Sequence, residues 1–273
     1  MSLISCHAVF DQLGNPDLVI LDASMPPVGI SLPEVKMPCY IPGARRFDIN
    51  ALSDASSELP HMLLSPAAFQ EKARALGINQ HTKIIIYDNV GIYSSPRAWW
   101  NFKVMGVDNV YVLDGGLPAW VEQGLDTVTT PGKAIVGGDL SVNFQFSKVI
   151  ESAGIIDAME KQSITIIDLR SRERFNGEVD EPRPGLRRGH IPGSYNLPFT
   201  DLYNGEFFKT QEEIELMFRK NASGKDEQLV FSCGSGVTAC IGILAASICG
   251  YTHLTLYDGS WADWASNLVL PSE

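Results

Sequence analysis

The two halves of the chain carry the same sequence pattern, and this repeat limits the possible folds more than any other feature. Four pairs of segments recur at an offset of 144 to 150 residues: LVILDAS (18–24) with ITIIDLR (164–170), IPGARRFDI (41–49) with IPGSYNLPF (191–199), KIIIYD (83–88) with QLVFSC (228–233), and LDGGLPAW (113–120) with YDGSWADW (257–264). Solenoid repeats are about 20–50 residues long, so an offset this large indicates a duplicated domain.

The segment TVTTPGKAIVGGDLS, residues 127–141, is the predicted connection between the two copies. It is rich in Gly, Thr and Pro and has no sustained apolar period, which is typical of a linker. We therefore expect one domain over residues 1–138 and a second over residues 139–273.

Short apolar runs alternate with helical patterns in each half. The predicted strands are LVILD, KIIIY and VYVL in the first half and ITIID, QLVFS and LTLY in the second. Strands that alternate with helices form a parallel sheet covered by helices on both faces, so each half is predicted to be an α/β domain. Capping signals predict helix starts at Ser65 with Pro66 and at Thr210 with Glu213. The small and apolar segment 236–251 predicts a buried helix, and the five tryptophans are expected to pack against the sheets.

Composition narrows the class of protein. A net charge of −11 without a large Lys/Arg cluster argues against binding to nucleic acid. No apolar run reaches the ~20 residues that span a bilayer, and the first ten residues lack a signal-peptide pattern, so we expect a cytoplasmic protein that binds no membrane. The cysteines are odd in number and contain no CxxC, which fits neither a disulfide framework nor a zinc site: Cys6, Cys39, Cys233, Cys240 and Cys249. We expect reduced thiols and no metal.

One cysteine lies in an unusual setting, the segment SCGSGVTAC at 232–240. Cys233 follows a predicted strand, precedes a predicted helix and is followed by two closely spaced glycines. In open α/β sheets this strand end is where ligands bind, and the amides at a helix N-terminus favour a thiolate. The alternative is a buried structural cysteine, since free Cys is among the most buried residue types. The flanking glycines favour a reactive nucleophile.

These segments together carry a resemblance to a known family. The motifs CGSGVTA (233–239), GHIPG (189–193) and DGSW (258–261) resemble those of the rhodanese superfamily, and most closely its branch that uses 3-mercaptopyruvate as the sulfur donor. Asp88 stands in the first half where Cys233 stands in the second, as in family members whose first domain has lost the nucleophile. The resemblance implies two tandem rhodanese-like domains, with catalysis in the second.

The resemblance also implies an activity. Cys233 would take a sulfur atom from 3-mercaptopyruvate as a persulfide, release pyruvate, and pass the sulfur to cyanide or to a thiol such as that of a thioredoxin-like protein. No cofactor or metal is expected. The loop residues Gly234, Gly236, Val237 and Thr238 would surround the donor.

Three other functions are weighed against this one. Tyrosine phosphatases need C-x5-R, because an Arg clamps the phosphate, and residue 239 is Ala. Thiosulfate sulfurtransferases resemble C-R-K-G-V-T, whereas Gly234 and Ser235 replace both cations here. A binding module without chemistry would have lost the nucleophile, which is present as Cys233. Thiosulfate:cyanide sulfurtransferase and a persulfide-carrier module stay open as alternatives.

The arginines that precede GHIPG are the candidates for binding the donor. The stretch 174–193 contains four arginines and several acids, so its residues alone favour a solvated charged loop. The resemblance implies that Arg174 and Arg183 bind the carboxylate and keto oxygen of 3-mercaptopyruvate. Arg187 and Arg188 are expected to be solvated.

Proton transfer has two candidate residues. Ser235 lies two residues after Cys233 and is expected within reach of the donor. His61 matches a family histidine that comes from the first domain and reaches across the domain interface to relay protons through Ser235. A lone histidine is more often structural, so this role rests on the resemblance. Relatives often have an acid where this chain has Asn50, so a complete Ser-His-acid relay is not assumed.

Overall fold

The computed structural model describes residues 2–27, 39–134 and 136–273. Backbone contacts divide the chain into two compact units. The first unit comprises Met1–Asp54, Leu63–Gln145 and Gly205–Phe207, and the second comprises Ala55–Met62, Phe146–Asn204 and Phe208–Glu273.

The first unit alternates short strands and helices along the chain. Its elements are β1 (Leu3–Ile4), α1 (Cys6–Phe10), β2 (Leu18–Asp22), β3 (Arg45–Arg46), α2 (Pro66–Ala75), β4 (Lys83–Tyr87), α3 (Ser95–Val104), β5 (Val110–Leu113) and α4 (Gly116–Glu122). The strands pair in parallel in the order β1-β5-β4-β2-β3.

The second unit follows the same plan. Its elements are β6 (Val149–Ile150), α5 (Ser152–Glu160), β7 (Thr165–Asp168), α6 (Arg172–Phe175), β8 (Tyr195–Asn196), β9 (Tyr203–Asn204), β10 (Phe207–Phe208, of which Phe207 belongs to the first unit), α7 (Gln211–Phe218), β11 (Leu229–Ser232), α8 (Ala239–Ile248), β12 (Leu254–Tyr257) and α9 (Ser260–Ser266), with 3-10 turns at Phe146–Lys148 and Phe199–Leu202. Its parallel sheet has the order β6-β12-β11-β7-β8.

The two strand orders become identical when each strand is replaced by its sequence repeat. The predicted duplication and the predicted α/β class are therefore confirmed. The strands β7, β11 and β12 are buried along their whole length, as expected when helices cover both faces of a parallel sheet.

The tryptophans lie in the cores, as predicted. Trp120 packs with Ile20 and Ile85 in the first unit, and Trp264 packs with Ile166 and Val230 in the second. Trp99, Trp100 and Trp261 are also buried. Trp120 and Trp264 occupy equivalent positions in the repeat, so this part of both cores is filled in the same way.

The predicted helix ends are confirmed where capping chemistry indicated them. The Ser65 hydroxyl accepts a hydrogen bond from the amide of Ala68 at the start of α2, and Thr210 forms a capping box with Glu213 at the start of α7. Helix α8 is buried on nearly every face, as its apolar sequence predicted.

The compact units change at residue 145 rather than close to the predicted linker position at 138. The amide of Gly138 donates to the Arg74 carbonyl at 2.7 Å, and the amide of Gln145 donates to the Val104 carbonyl at 2.7 Å. The irregular segment between them is therefore held by the first unit through its backbone. The domain limits proposed from the sequence stay a prediction.

Among the residues that the structure describes, no helix is both long enough and apolar enough to cross a membrane.

Candidate active site

Cys233 is the first residue after β11, and α8 begins at Ala239. β11 lies in the interior of the sheet between β12 and β7. The Cys233 side chain is therefore at the carboxyl end of an interior parallel strand, where ligand sites form in this class of fold. The residue is only 2% exposed.

The residues that follow β12 bind both the carbonyl and the amide of Cys233. The amide of Trp261 donates to the Cys233 carbonyl at 2.9 Å, and the amide of Cys233 donates to the Ser260 hydroxyl at 3.2 Å. That hydroxyl in turn donates to the Tyr257 carbonyl at 2.8 Å. Ser260 has a φ of 51°, a left-handed conformation that is unfavourable for a serine. The turn thus accepts backbone strain while it holds the backbone of Cys233.

The two glycines after Cys233 serve different purposes. Gly236 has a φ of 77°, which a residue with a side chain adopts only at a cost. The φ of Gly234 lies outside the left-handed region, but a Cβ there would come within 2.8 Å of Nη2 of Arg174. One glycine therefore permits the turn, and the other leaves room for an arginine.

The remaining loop residues, Val237 and Thr238, lead directly into α8, and Thr238 is its N-cap. The Val237 carbonyl accepts from the Cys240 amide at 3.2 Å, and the Thr238 carbonyl accepts from the Ile241 amide at 3.1 Å. The first amides of a helix have no partner within the helix, so this end of α8 carries a partial positive charge toward its N-terminal loop.

His61 and Ser235 are brought together by the fold. Nδ1 of His61 lies 3.0 Å from Oγ of Ser235, although the residues are 174 positions apart in the sequence. The segment Ala55–Met62 belongs to the second compact unit, so this pair lies within that unit. His61 has a φ of 61°, a strained conformation. Asn50 lies in the first unit, and its backbone amide donates to Oδ1 of Asp48 at 2.9 Å.

Arg174 extends from α6 to the Cys233 loop. Its Nε and Nη2 donate to the two carboxylate oxygens of Glu181 at 3.2 and 2.5 Å, and Nη2 also faces the Cα of Gly234. The side chain of Arg174 is 19% exposed, whereas that of Glu181 is 2% exposed. Arg174 thus combines a buried partner with a partly exposed side chain that reaches Gly234.

Arg170 is a second arginine that binds the carboxylate of Glu181. Its fully buried guanidinium donates to the carboxylates of Asp168 and Glu181 and to the Gly189 carbonyl, and it lies 4.5 Å from the ring centre of Trp261. Burial alone would lower the pKa of Arg170, but the two carboxylates outweigh burial and raise that pKa. The guanidinium therefore stays charged inside the protein.

The other arginines of this stretch have separate surroundings. Arg183 lies half-buried in the turn between α6 and β8. Arg187 donates to the carbonyls of Trp264, Ala265, Asn267 and Leu270, so the expectation that it is solvated is wrong. It instead binds the end of α9, where carbonyls have no partner within the helix. Arg188 forms an exposed ion pair with Asp180, as expected for a solvated charge.

The corresponding loop of the first unit contains Asp88. One oxygen of its fully buried carboxylate accepts the amides of Tyr93, Ser94 and Ser95 at 2.8–3.0 Å and the Ser95 hydroxyl at 2.7 Å. The other oxygen accepts the amide of Val90 at 3.2 Å. Burial raises the pKa of Asp88, and these hydrogen bonds oppose that rise. The loop is thus an anion-binding turn that its own side chain fills.

The other thiols do not lie at the first position of the Cys233 loop. Cys240 lies in α8, and its Sγ donates to the Gly236 carbonyl at 3.2 Å. Burial raises the pKa of Cys6 and of Cys249 to about 11, so both thiols stay protonated near neutral pH. In the described part of the chain, no group of three or more His, Cys, Asp or Glu side chains could hold a metal ion.

Three residues next to the site had no role assigned from the sequence: Arg170, Glu181 and Ser260. Ser260 carries a detectable signal, because the repeat pairs it with Gly116, and a glycine at a repeated turn indicates left-handed backbone. Arg170 and Glu181 belong to charged segments that look solvated, so the sequence alone offers no sign that they are buried.

Comparison with known proteins identifies the family. The sequence model of the rhodanese-like domain matches residues 7–123 and again residues 153–267. The chain belongs to the rhodanese family. Both matches coincide with the duplicated sheets, so the chain contains two tandem rhodanese-like domains, as the motifs predicted.

Individual rhodanese proteins are similar over almost the whole chain. The 3-mercaptopyruvate sulfurtransferase of Escherichia coli K12 is 39% identical over 267 residues, which cover 96% of this chain and 94% of that protein. The mitochondrial thiosulfate/3-mercaptopyruvate sulfurtransferase 1 of Arabidopsis thaliana is 36% identical over 99% of this chain and 78% of its own length. The crystal structure of SseA from Escherichia coli superposes with a TM-score of 0.84 at 37% identity, covering 96% of this chain and 99% of that one.

Proposed function

We propose that this rhodanese-type sulfurtransferase takes sulfur from 3-mercaptopyruvate and carries it as a persulfide on Cys233. One observation carries the proposal: Cys233 begins a loop in which Ser235 contacts His61 and Gly234 lies against the guanidinium of Arg174. A nucleophile, a proton-transfer pair and a cation for the donor therefore meet at one loop. The names of the relatives from Escherichia coli and Arabidopsis support this choice of donor.

The first step is attack of the Cys233 thiolate on the sulfur of 3-mercaptopyruvate. A sulfur–sulfur bond forms as the carbon–sulfur bond breaks, and the electron pair of the broken bond remains with the pyruvate enolate. The enolate carbon takes up the proton that the donor thiol loses, so pyruvate leaves and Cys233 retains a persulfide anion. An acceptor thiolate or cyanide then attacks the outer sulfur and regenerates the Cys233 thiolate.

The amides at the start of α8 are suited to stabilise the persulfide anion. In the first unit the amides of Tyr93, Ser94 and Ser95, at the start of α3, donate to the Asp88 carboxylate. The residues at the matching helix start in the second unit are Val237, Thr238 and Ala239. Donors placed in advance around a developing charge stabilise it without reorganisation.

The donor carboxylate would bind the arginines. Arg174 would bind the carboxylate with its guanidinium beside Gly234, on a side chain that is partly exposed, and Arg183 would bind the keto oxygen from the following turn. Arginine suits this role because its planar fork holds a carboxylate through two hydrogen bonds. Holding the far end of the donor aims its sulfur at Cys233.

Ser235 and His61 would move the proton between the donor thiol and the enolate carbon. Their 3.0 Å contact is within hydrogen-bond range. The Ser235 hydroxyl accepts from Nδ1 in one ring tautomer and donates to Nδ1 in the other. The buried position of Ser235 keeps bulk water from replacing the hydroxyl in this transfer.

Thiosulfate is the second candidate donor, because the Arabidopsis relative is named for both donors. Thiosulfate carries two negative charges. In this loop Gly234 and Ser235 add no cation, and the charge of Arg174 is already paired with Glu181. These features favour the singly charged carboxylate of 3-mercaptopyruvate. Cyanide, a thioredoxin-like thiol acceptor and a cytoplasmic location stay predictions.

Mass spectrometry of the intact protein tests the proposal. After incubation with 3-mercaptopyruvate, the parent protein should gain the mass of one sulfur atom and release pyruvate, whereas Cys233→Ser should do neither and lose at least about a thousandfold in turnover. Cys249→Ala is the control, because its buried thiol lies outside the loop, and it should behave as the parent. Sulfur gained only from thiosulfate would support the second donor. Sulfur gained only from a persulfidated partner protein would support the carrier alternative.

A further inference from the structure

Glu181 is a buried carboxylate that joins two arginines. Its Oε1 accepts from Nη1 of Arg170 at 2.8 Å and from Nε of Arg174 at 3.2 Å, and its Oε2 accepts from Nη2 of Arg174 at 2.5 Å. The carboxylate is 2% exposed and lies in the irregular segment after α6. A carboxylate this buried persists only when charges of opposite sign surround it.

The partner Arg170 is itself held from several sides. Its guanidinium forms a two-pronged pair with Asp168 at the end of β7 and lies over the ring of Trp261. The amide of Trp261 donates to the carbonyl of Cys233. Glu181 is therefore fixed by a buried arginine that also packs against the residue holding the nucleophile's backbone.

Arg174 depends on Glu181 for its direction. Among the described residues, the side-chain hydrogen bonds of Arg174 all go to Glu181 and use Nε and Nη2. This grip places the guanidinium against Gly234, where Nη2 lies 2.8 Å and Nη1 lies 3.9 Å from the position that a Cβ would take. Without such a grip, a long arginine side chain populates many rotamers.

We propose that Glu181 is a positioning residue for the sulfur donor: it orients Arg174 so that the donor carboxylate binds at a fixed place beside Cys233. The inference rests on the proposed use of 3-mercaptopyruvate. Glu181 touches neither the donor nor the reacting sulfur, and it acts through Arg174 alone.

This role predicts a particular kinetic signature. The donor carboxylate keeps its charge throughout the reaction, so its bond to Arg174 is about equally strong in the bound donor and in the transition state. Loss of such an interaction raises KM and leaves kcat almost unchanged. Pyruvate has the same carboxylate and ketone but no thiol, so its inhibition constant should rise together with KM.

The test compares Glu181→Gln with the parent protein in steady-state assays with 3-mercaptopyruvate. We expect KM and the pyruvate inhibition constant each to rise about tenfold, with kcat changed less than about threefold. Glu178→Gln is the matched control, because Glu178 is an exposed acid three residues earlier whose side chain accepts from Asn176. It removes the same charge and should leave KM unchanged.

A double-mutant cycle separates positioning from a structural role. If Glu181 acts through Arg174, adding Glu181→Gln to Arg174→Ala raises KM no further than Arg174→Ala alone. Cys233 alkylation by uncharged iodoacetamide should proceed at the parental rate in Glu181→Gln. If Glu181→Gln does not fold, Glu181→Asp takes its place, since it keeps the charge but shortens the reach, and it should still raise KM.

The outcomes are distinguishable. A parent that neither turns over 3-mercaptopyruvate nor gains sulfur overturns the proposed function, and this inference with it. A working parent whose Glu181 variants keep or lower KM overturns the positioning role alone. Additive effects of Glu181→Gln and Arg174→Ala overturn it as well, because Glu181 would then act by another route.

Discussion

The loops after β4 and β11 have the same place in their sheets and opposite contents. In the first unit, Asp88 turns its carboxylate into the loop and accepts four backbone amides. In the second unit, Cys233 begins the loop, and a thiol is a far weaker acceptor of such bonds. The first loop is satisfied by its own side chain, whereas in the proposed function the amides of the second loop would stabilise an anion on the sulfur.

On the proposed function, the anion-binding turn belongs to the fold and the chemistry to the residue at its first position. Both turns join an interior parallel strand to a helix N-terminus, and that geometry aims amides at one point regardless of sequence. A carboxylate at the first position makes a rigid structural corner. A sulfur nucleophile at the same position would leave the same donors to stabilise a product.

The turns that follow β5 and β12 also differ between the two units. Gly116 in the first unit has a φ of 58°, and a Cβ there would come within 2.0 Å of the Gly91 carbonyl oxygen. The second unit has Ser260 at this place with a φ of 51°, and its hydroxyl accepts the amide of Cys233. The second unit accepts a strained serine at this place, and the serine hydroxyl gives Cys233 an additional contact to its backbone amide.

The largest expected effect comes from emptying the first loop. Asp88→Ala leaves four amides and a hydroxyl without their acceptor in a fully buried turn, so the free energy of unfolding of the first unit should fall by about 3 kcal/mol or more. Urea unfolding followed by tryptophan fluorescence measures the loss. Asp139→Ala is the control, because exposed Asp139 accepts, within the part of the chain that the structure describes, only the Gln80 amide through its side chain. Equal losses in both variants would contradict the special character of the Asp88 loop.

A smaller effect is expected from placing a carboxylate in the second loop. If the amides at the start of α8 form the same turn, Cys233→Asp should be more stable than Cys233→Ala by about 2 kcal/mol, because a carboxylate can accept them. Thermal unfolding of the two inactive variants measures the difference. In Cys240→Asp the carboxylate would lie within buried α8, and this variant should be less stable than the parent. A Cys233→Asp protein less stable than Cys233→Ala would break the comparison between the loops.

The smallest effect separates the two glycines of the second loop. Gly236→Ala should cost about 1 kcal/mol of stability, because its left-handed φ is unfavourable for any residue with a Cβ. Gly14→Ala is the matched control, with a φ of 85° and open space around it. Gly234→Ala should instead leave stability nearly unchanged and raise KM for 3-mercaptopyruvate, because its Cβ displaces Arg174. The idea of separate purposes fails if both loop variants change stability and KM alike.

The sequence by itself determined the duplication, the α/β class, the buried helix α8 and the singular position of Cys233. These features are local, because strand and helix periods, capping residues and turn glycines are written in neighbouring positions. The repeat adds a second copy of each signal, so the strand order of one unit predicts that of the other.

Only the tertiary structure decided which charged residues are buried together. The contact of His61 with Ser235 spans 174 positions, and the sequence indicated it through the family resemblance, not through a local pattern. The burial of Glu181 between two arginines contradicts the solvated look of its own segment. Arg187 looked solvated for the same reason and instead binds the end of α9. A charged side chain is buried only when the fold supplies partners from distant segments, and no local pattern records where those partners will lie.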